Sequence, residues 1–250
     1  MAERANGTVL ILGAVSAIAR GVADAFARRG YDLYLAGRDL EELERLASDL
    51  QVRHGVSVDF GQFDALAMGN HAALVRGIVT EVGELAGVVW AVGYMPAQEE
   101  ALSDPSQVRR IVDTNFTAAM SVLDACAANL VNMGSGFIVA ISSVAGDRGR
   151  QSNYYYGAAK GALTLYLQGL RNRLYPTGVR VLTVKPGFVD TSMTWGLPGL
   201  FLVASPEQVG GAIASAVERG RDVLYVPWFW RYIMLIIRHI PERLFKRLKL

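Results

Sequence analysis

Short apolar runs alternate with longer helical stretches along almost the whole chain, and that alternation leaves few folds open. The runs read as strands at Thr8–Leu12, Asp32–Ala36, Val56–Phe60, Ala86–Val92, Gly136–Ser142, Arg180–Lys185 and Val223–Val226. Helical patterns fall between them, near 17–29, 39–53, 69–83, 105–133, 153–175 and 205–219. Ser205-Pro206-Glu207 opens the last of these as an N-cap followed by proline at the first helical position. Strands that are apolar throughout are buried on both faces, as in a parallel sheet covered by helices. Right-handed crossovers then make the α/β sheet doubly wound. The reading is one domain over residues 1–226 and a tail of different character over 227–250.

Composition narrows the function classes. With 250 residues, 52% of them hydrophobic and 19% charged, the chain can bury a large core and is not disordered. A net charge of +2, with no long basic patch interleaved with aromatics in the body, argues against a nucleic-acid partner. The lone Cys126 rules out a disulfide framework within the chain. His54, His71 and His239 have no metal-ligand spacing, so no metal is expected. Thr8–Leu12 is short and stopped by Gly13, which reads as a first strand rather than a signal peptide. No uncharged run reaches the length of a membrane span. The expectation is a cytoplasmic protein.

Tyr156-Gly157-Ala158-Ala159-Lys160 carries the chemistry. Four residues apart on a helix, the phenol and the ammonium project from one face. Ser143 ends the apolar run before that helix. A hydroxyl at a strand tip, with a Tyr and a Lys on the following helix, can move the proton needed to make or break a carbinol. Tyr156 is the candidate acid in reduction and base in oxidation. Its unperturbed pKa, about 10, is high for exchange at neutral pH. A positive charge on Lys160 favours the phenolate and lowers that value. Ser143 donates to the carbonyl oxygen as negative charge develops there. Tyr and Lys at this spacing also occur on helices with no such role, so the reading rests on the rest of the pattern.

Gly13 follows the first strand, and a helix begins a few residues later. Such a turn aims backbone N–H groups and a helix N-terminus at a pyrophosphate, here through Ser16, Ala17 and Ile18. At the end of the second strand, Gly37 stands where a carboxylate would hold the ribose hydroxyls, and Arg38 follows it. A guanidinium pairs with a 2′-phosphate through charge-assisted hydrogen bonds, with Ser16 as a second donor. The expected cofactor is therefore NADP(H). Arg38 and Asp39 also fit a solvated loop in which Asp39 caps the next helix.

In order and spacing, Gly13, Asp64, Asn115, Ser143, Tyr156, Lys160 and Pro186-Gly187 resemble the short-chain dehydrogenases/reductases over residues 8–226. The resemblance implies a Rossmann-type sheet and a homodimer or homotetramer. It implies that Asp64 binds the adenine amino group and that Asn115 secures a water passing protons to Lys160. Lys160 also holds the nicotinamide ribose, and Val189 and Thr191 after Pro186-Gly187 face the carboxamide. Gly93 closes Trp90-Ala91-Val92-Gly93, where most members have Asn-Asn-Ala-Gly. The family's second and third glycines are Ala17 and Ala19 here. The methyl at 17 is expected to crowd the pyrophosphate or to oppose a positive φ. More loosely, the segment Ser143–Arg150 and the aromatics before Tyr156 resemble reductases of polyprenyl-phosphate-linked keto-sugars.

These features point to an oxidoreductase acting on a ketone or secondary alcohol with a bulky apolar or lipid-linked body. The competing class is a sensor or scaffold that binds NADP without turnover. Met193, Trp195, Leu197, Leu200, Phe201 and Leu202 read either as an apolar lid or as an ordinary loop. Tyr154 and Tyr155 suit the pocket or the core. The tail carries Trp228, Phe229, Trp230 and Tyr232, then Ile233–Ile237, then a basic end. It suits a helix lying on an anionic membrane surface, which would place the protein at the inner face of the membrane. The alternative is a tail packed on a partner subunit or over the substrate cleft.

Overall fold

The computed structural model describes residues 6–191, 195 and 202–248. Met193, Leu197, Leu200 and Phe201 of the lid segment and the last two residues of the tail lie outside this set. Seven parallel strands form one sheet in the order β3-β2-β1-β4-β5-β6-β7. They are β1 (Thr8–Leu12), β2 (Asp32–Gly37), β3 (Val58–Gln62), β4 (Leu85–Trp90), β5 (Gly136–Ile141), β6 (Val179–Pro186) and β7 (Val223–Val226). The chain winds outward from β1 in one direction and then from β4 in the other, which is the doubly wound plan expected.

Helices cover both faces. On one lie α1 (Ala17–Ala27), α2 (Leu40–His54) and α8 (Pro206–Glu218), packed on Val9, Ile11, Val89, Val139 and Val184. The other face carries α3 (His71–Val82), α6 (Ala118–Met133) and α7 (Tyr154–Leu174), packed on Leu10, Leu12, Val88 and Ile138. Consecutive strand residues thus feed opposite cores, which is why the central strands β1, β4 and β5 are apolar, while the edge strand β3 keeps Asp59 and Gln62 exposed. Capping sets the helix starts: Ser16 and Asp39 accept from Ala19 N and Glu42 N, and Ser205 forms a capping box with Gln208.

Several boundaries move. The third strand begins at Val58 rather than Val56, because Gly55 caps α2 in the left-handed region and the chain needs two residues to reach the sheet. The fourth ends at Trp90, with Ala91 and Val92 running past the sheet toward the site. The 105–133 helix is α5 (Pro105–Val112), a π-turn over Asp113–Thr117, and α6. By length and composition this helix could cross a membrane, but Ala118, Val122, Leu123, Cys126 and Leu130 sit in the sheet's core. A short α4 (Gln98–Ser103) precedes it unforeseen, its polar sequence giving no apolar period.

The tail forms α9 (Trp230–His239) and α10 (Glu242–Phe245). Trp230 is 2% exposed and Met234 is fully buried, both packed with Val144 and Phe188. The tail therefore lies against the body of this same chain, on the side of the β5 and β6 ends.

Helices α1 and α8 meet through two glycines. A Cβ on Gly210 would lie 2.0 Å from the Gly21 carbonyl oxygen, and one on Gly21 2.2 Å from that of Pro206. Backbone cannot yield as a side chain can. Gly210→Ala is expected to lower stability by about 1–3 kcal/mol or more, the range for overpacking a tight core. Urea denaturation checks this, and an unchanged midpoint would mean that the helices separate freely.

Candidate active site

The strand ends, loops and helix starts at one edge of the sheet surround a cavity of about 330 Å³. The switch point of the sheet places it there: the winding reverses direction between β1 and β4, leaving a crevice beyond their carboxyl ends. One end of the cavity is walled by Val15, Ser16, Ala17 and Ile18, the other by Ser143, Tyr156 and Lys160. Gly93 and the segment Pro186–Val189 with Thr191 line it between them.

At the first end, Gly13 has φ +82 and its missing Cβ leaves room for Val92, whose Cγ2 would be 2.9 Å away. Gly13 N and Ala14 N donate to Ala36 O at 2.8 and 3.1 Å, which ties the turn to the end of β2. Ala17 is the first residue of α1 and has no positive φ, so the expected backbone penalty for replacing glycine does not arise. Ala19 is fully buried against the sheet. Arg38 is exposed directly after β2. Asp64 is exposed after β3, where one carboxylate oxygen accepts from Leu66 N at 2.9 Å. Neither residue lines the cavity; both stand on the sheet edge beyond it. The glycine turn, the open start of α1 and the cavity leading away from it fit a dinucleotide.

At the second end, Ser143, Tyr156 and Lys160 come together. The Ser143 hydroxyl neighbours the Tyr156 phenol and accepts from Ala145 N at 3.1 Å. Lys160 is 2% exposed, and its Nζ donates to Ile141 O at 2.9 Å. Burial raises Tyr156 to about 12, with the nearby Ser143 hydroxyl pulling the other way. Burial lowers Lys160 to about 7. The expected lowering of the phenol by Lys160 is thus outweighed by burial, since a lysine this depressed is only part charged at neutral pH. The phenol is protonated at neutral pH, as an acid must be.

Asn115 does something other than line the cavity. It is fully buried in the π-turn. Its Nδ2 donates to Tyr94 O at 2.7 Å and Ile111 O at 2.9 Å, and its Oδ1 accepts from Tyr94 N at 3.2 Å. Both amide hydrogens are spent on holding the segment after β4. Tyr155 packs with Tyr156 against Tyr94 and Met95, and Tyr154 is largely exposed.

Several further residues shape the site. The loop after Ser143 presses on α7: a Cβ on Gly157 would lie 2.8 Å from Ala145 O, and one on Gly146 2.7 Å from Gly161 N. Gly157 and Gly161 recur at helical spacing, a signal available in the sequence. Behind the loop, Asp147 accepts from Lys185 Nζ at 2.5 Å and from Tyr225 Oη at 2.8 Å. Arg148 donates to the carbonyls of Ile237, Arg238 and Ile240, pairs with Glu242 and covers the Phe245 ring. The Trp230 indole occupies the space beside Gly187, where a Cβ would be 1.9 Å from its Nε1. Long-range partners of this kind have no local signature.

Comparison with known proteins agrees with this geometry. A family model for short chain dehydrogenase matches residues 7–198. Over 248 residues the chain is 35% identical to an uncharacterized oxidoreductase of Mycobacterium tuberculosis, with 99% of each covered. The structure of a short-chain dehydrogenase from Sphingobium yanoikuyae in complex with NADPH superposes with a TM-score of 0.80 at 29% identity, covering 94% of this chain and 97% of that one. A bulky-bulky ketone specific alcohol dehydrogenase from Comamonas testosteroni gives 0.79 at 26%, covering 94% and 95%. Fold and site define an oxidoreductase with a nicotinamide cofactor. The chain belongs to the short-chain dehydrogenase family.

The depressed lysine has a consequence for stability. Folded Lys160 titrates at about 7, against 10.5 ordinarily. Between those values the unfolded chain holds a proton that the folded chain has released, so this group's contribution to stability rises with pH across the window and is lost as pH falls toward 7. Urea unfolding of the cofactor-free protein at pH 7 and pH 9 should show a larger gain with pH in wild type than in Lys160→Met. Equal gains would mean that Lys160 keeps an ordinary pKa.

Proposed function

We propose that the protein is an NADPH-dependent reductase of a ketone with a bulky apolar or lipid-linked body, able to run in reverse on the secondary alcohol. One observation carries this: Ser143, Tyr156 and Lys160 meet on one wall of a cavity whose far end is a helix start suited to a pyrophosphate. Bound nicotinamide supplies the hydride. The protein's part is to hold the carbonyl oxygen between the Ser143 and Tyr156 hydroxyls, to deliver the Tyr156 proton to it, and to exclude water. Lys160 and the Pro186–Thr191 turn hold the nicotinamide half, and Ser16, Ala17, Ile18, Arg38 and Asp64 the adenosine half. A chain serving only as a sensor has no need of a serine and a tyrosine hydroxyl brought together beside a buried lysine, which speaks for turnover. Val144, Met95 and Phe188 give the substrate end an apolar lining, and the similar Comamonas enzyme is named for bulky ketones.

The tail extends this reading. Its inner face packs beside the cavity, but Trp228, Tyr232, Leu235 and Ile236 point outward, Ile236 at 68% exposure. Arg231, Arg238, Arg243, Lys246 and Arg247 surround them, all exposed. An apolar ridge within a basic rim matches an anionic lipid surface, where each cation contributes roughly 1 kcal/mol.

Two measurements test these statements. Arg38→Ala should weaken NADPH binding tenfold or more, on the order of 1.4 kcal/mol for a lost charge-assisted pair, and leave NADH binding nearly unchanged. Tyr156→Phe, titrated and assayed alongside, should keep NADPH affinity and lose at least about a hundredfold in turnover. Equal losses for both cofactors would remove Arg38 from the 2′-phosphate, and full activity in Tyr156→Phe would remove the phenol from proton transfer.

For the tail, intact protein should sediment with vesicles containing phosphatidylglycerol at low salt, while Trp228→Glu/Ile236→Glu should stay in the supernatant and still bind NADPH. Truncation is a poor probe, because Trp230 and Met234 are part of the packed body. No sedimentation of the intact protein would end the membrane reading.

A further inference from the structure

The cavity wall carries a guanidinium that the chain neutralises only in part. Arg150 lines the cavity together with Ser143 and Tyr156. Its Nε and Nη2 are shielded from solvent and make no hydrogen bond in the structure. Burial lowers its pKa, and the partial opposing influence is Asp147. That carboxylate is already committed: it is nearly buried and bonded to Lys185 Nζ and Tyr225 Oη. Asn153, at the cap of α7, also lines the cavity, and its Oδ1 is buried and unpartnered too. The amide and the guanidinium are three residues apart yet do not satisfy each other. Among the described residues, no Asp or Glu lines this cavity.

A guanidinium does not shed its proton in proteins, so burying one without a counterion is costly. A ligand that brings an anion relieves that cost with charge-assisted hydrogen bonds. On the reductase reading the cofactor's phosphates go to the helix start at Ser16–Ile18, which leaves this arginine for a different anion. We propose that Arg150 is a specificity-determining residue that binds an anionic group, a carboxylate or a phosphate ester, carried by the carbonyl substrate. The proposal rests on the reductase reading above and gives its substrate a charge: an apolar body with an anion placed within reach of the reacting carbonyl.

Two experiments separate the proposal from the reading beneath it. The first needs no turnover. Phenyl phosphate is titrated calorimetrically into NADPH-loaded wild type, Arg150→Gln and Arg150→Lys. Binding by wild type, at least tenfold weaker in Arg150→Gln and partly restored in Arg150→Lys, supports the proposal, the size being that of a lost hydrogen bond to a charged group, roughly ten- to hundredfold. No binding by wild type, or equal binding by all three, overturns it. The second compares 4-acetylbenzoate with its neutral methyl ester. The ratio of their kcat/KM values should favour the acid in wild type and fall at least about tenfold in Arg150→Gln. Equal loss on both ketones, or lost NADPH affinity in the variant, would assign Arg150 to the scaffold or the cofactor and overturn the proposal. If neither ketone is reduced by any form, the reductase reading is what suffers, and the phosphate titration still decides the role of Arg150.

Discussion

The contact between the loop after Ser143 and the first turns of α7 is what the rest of the site depends on. Ser143 lies two residues past the end of β5 and Tyr156 belongs to a helix, so nothing in local structure obliges their hydroxyls to meet. Gly146 and Gly157 let backbone lie on backbone there, with Cβ-to-backbone distances of 2.7 and 2.8 Å that leave no room for a side chain, and Gly161 adds a tight one of 3.1 Å. That approach brings the serine to the phenol and buries Lys160 against Ile141 O. The desolvation that raises Tyr156 and lowers Lys160 follows from the same close packing.

A second layer braces this contact from behind. Asp147, one residue past Gly146, is held by Lys185 from β6 and Tyr225 from β7, so the loop is tied to two strands at once. Arg148 then gathers the carbonyl end of α9 and stacks on Phe245. Trp230 fills the space that Gly187 leaves and meets Phe188 edge-on at 5.5 Å. Through these few residues the tail becomes part of the cavity's support, and its outward apolar face is left over from that packing.

The glycines at the cofactor end illustrate how a motif can be met without its usual residues. Gly13 is needed, because its φ of +82 and the nearness of Val92 leave no room for a side chain. Position 17 is already helical, so alanine meets no backbone strain there, and it lines the cavity. Position 19 only asks for a small residue packed on the sheet, and Ala19 supplies one. Trp90 similarly takes a place where amides are usual and is held by packing, edge-on to Phe63 at 6.2 Å.

Sequence alone determined the seven strands and their parallel winding, and singled out Ser143, Tyr156 and Lys160 as candidates, because strand and helix periodicity and short-range spacing are written locally. Tyr156 and Lys160 share a helix face by geometry that four residues suffice to specify. It also determined that Gly13 turns the chain beneath a helix start. Only the tertiary structure decided what each polar group does once buried. Asn115 is spent on the Tyr94 backbone, Asp147 on Lys185 and Tyr225, and Arg148 on the tail, while Arg150, two residues on, keeps buried nitrogens without a partner. The physical reason is that hydrogen-bond partners and desolvation arise from contacts between segments far apart in sequence. Neighbouring residues of similar chemistry therefore end with different roles.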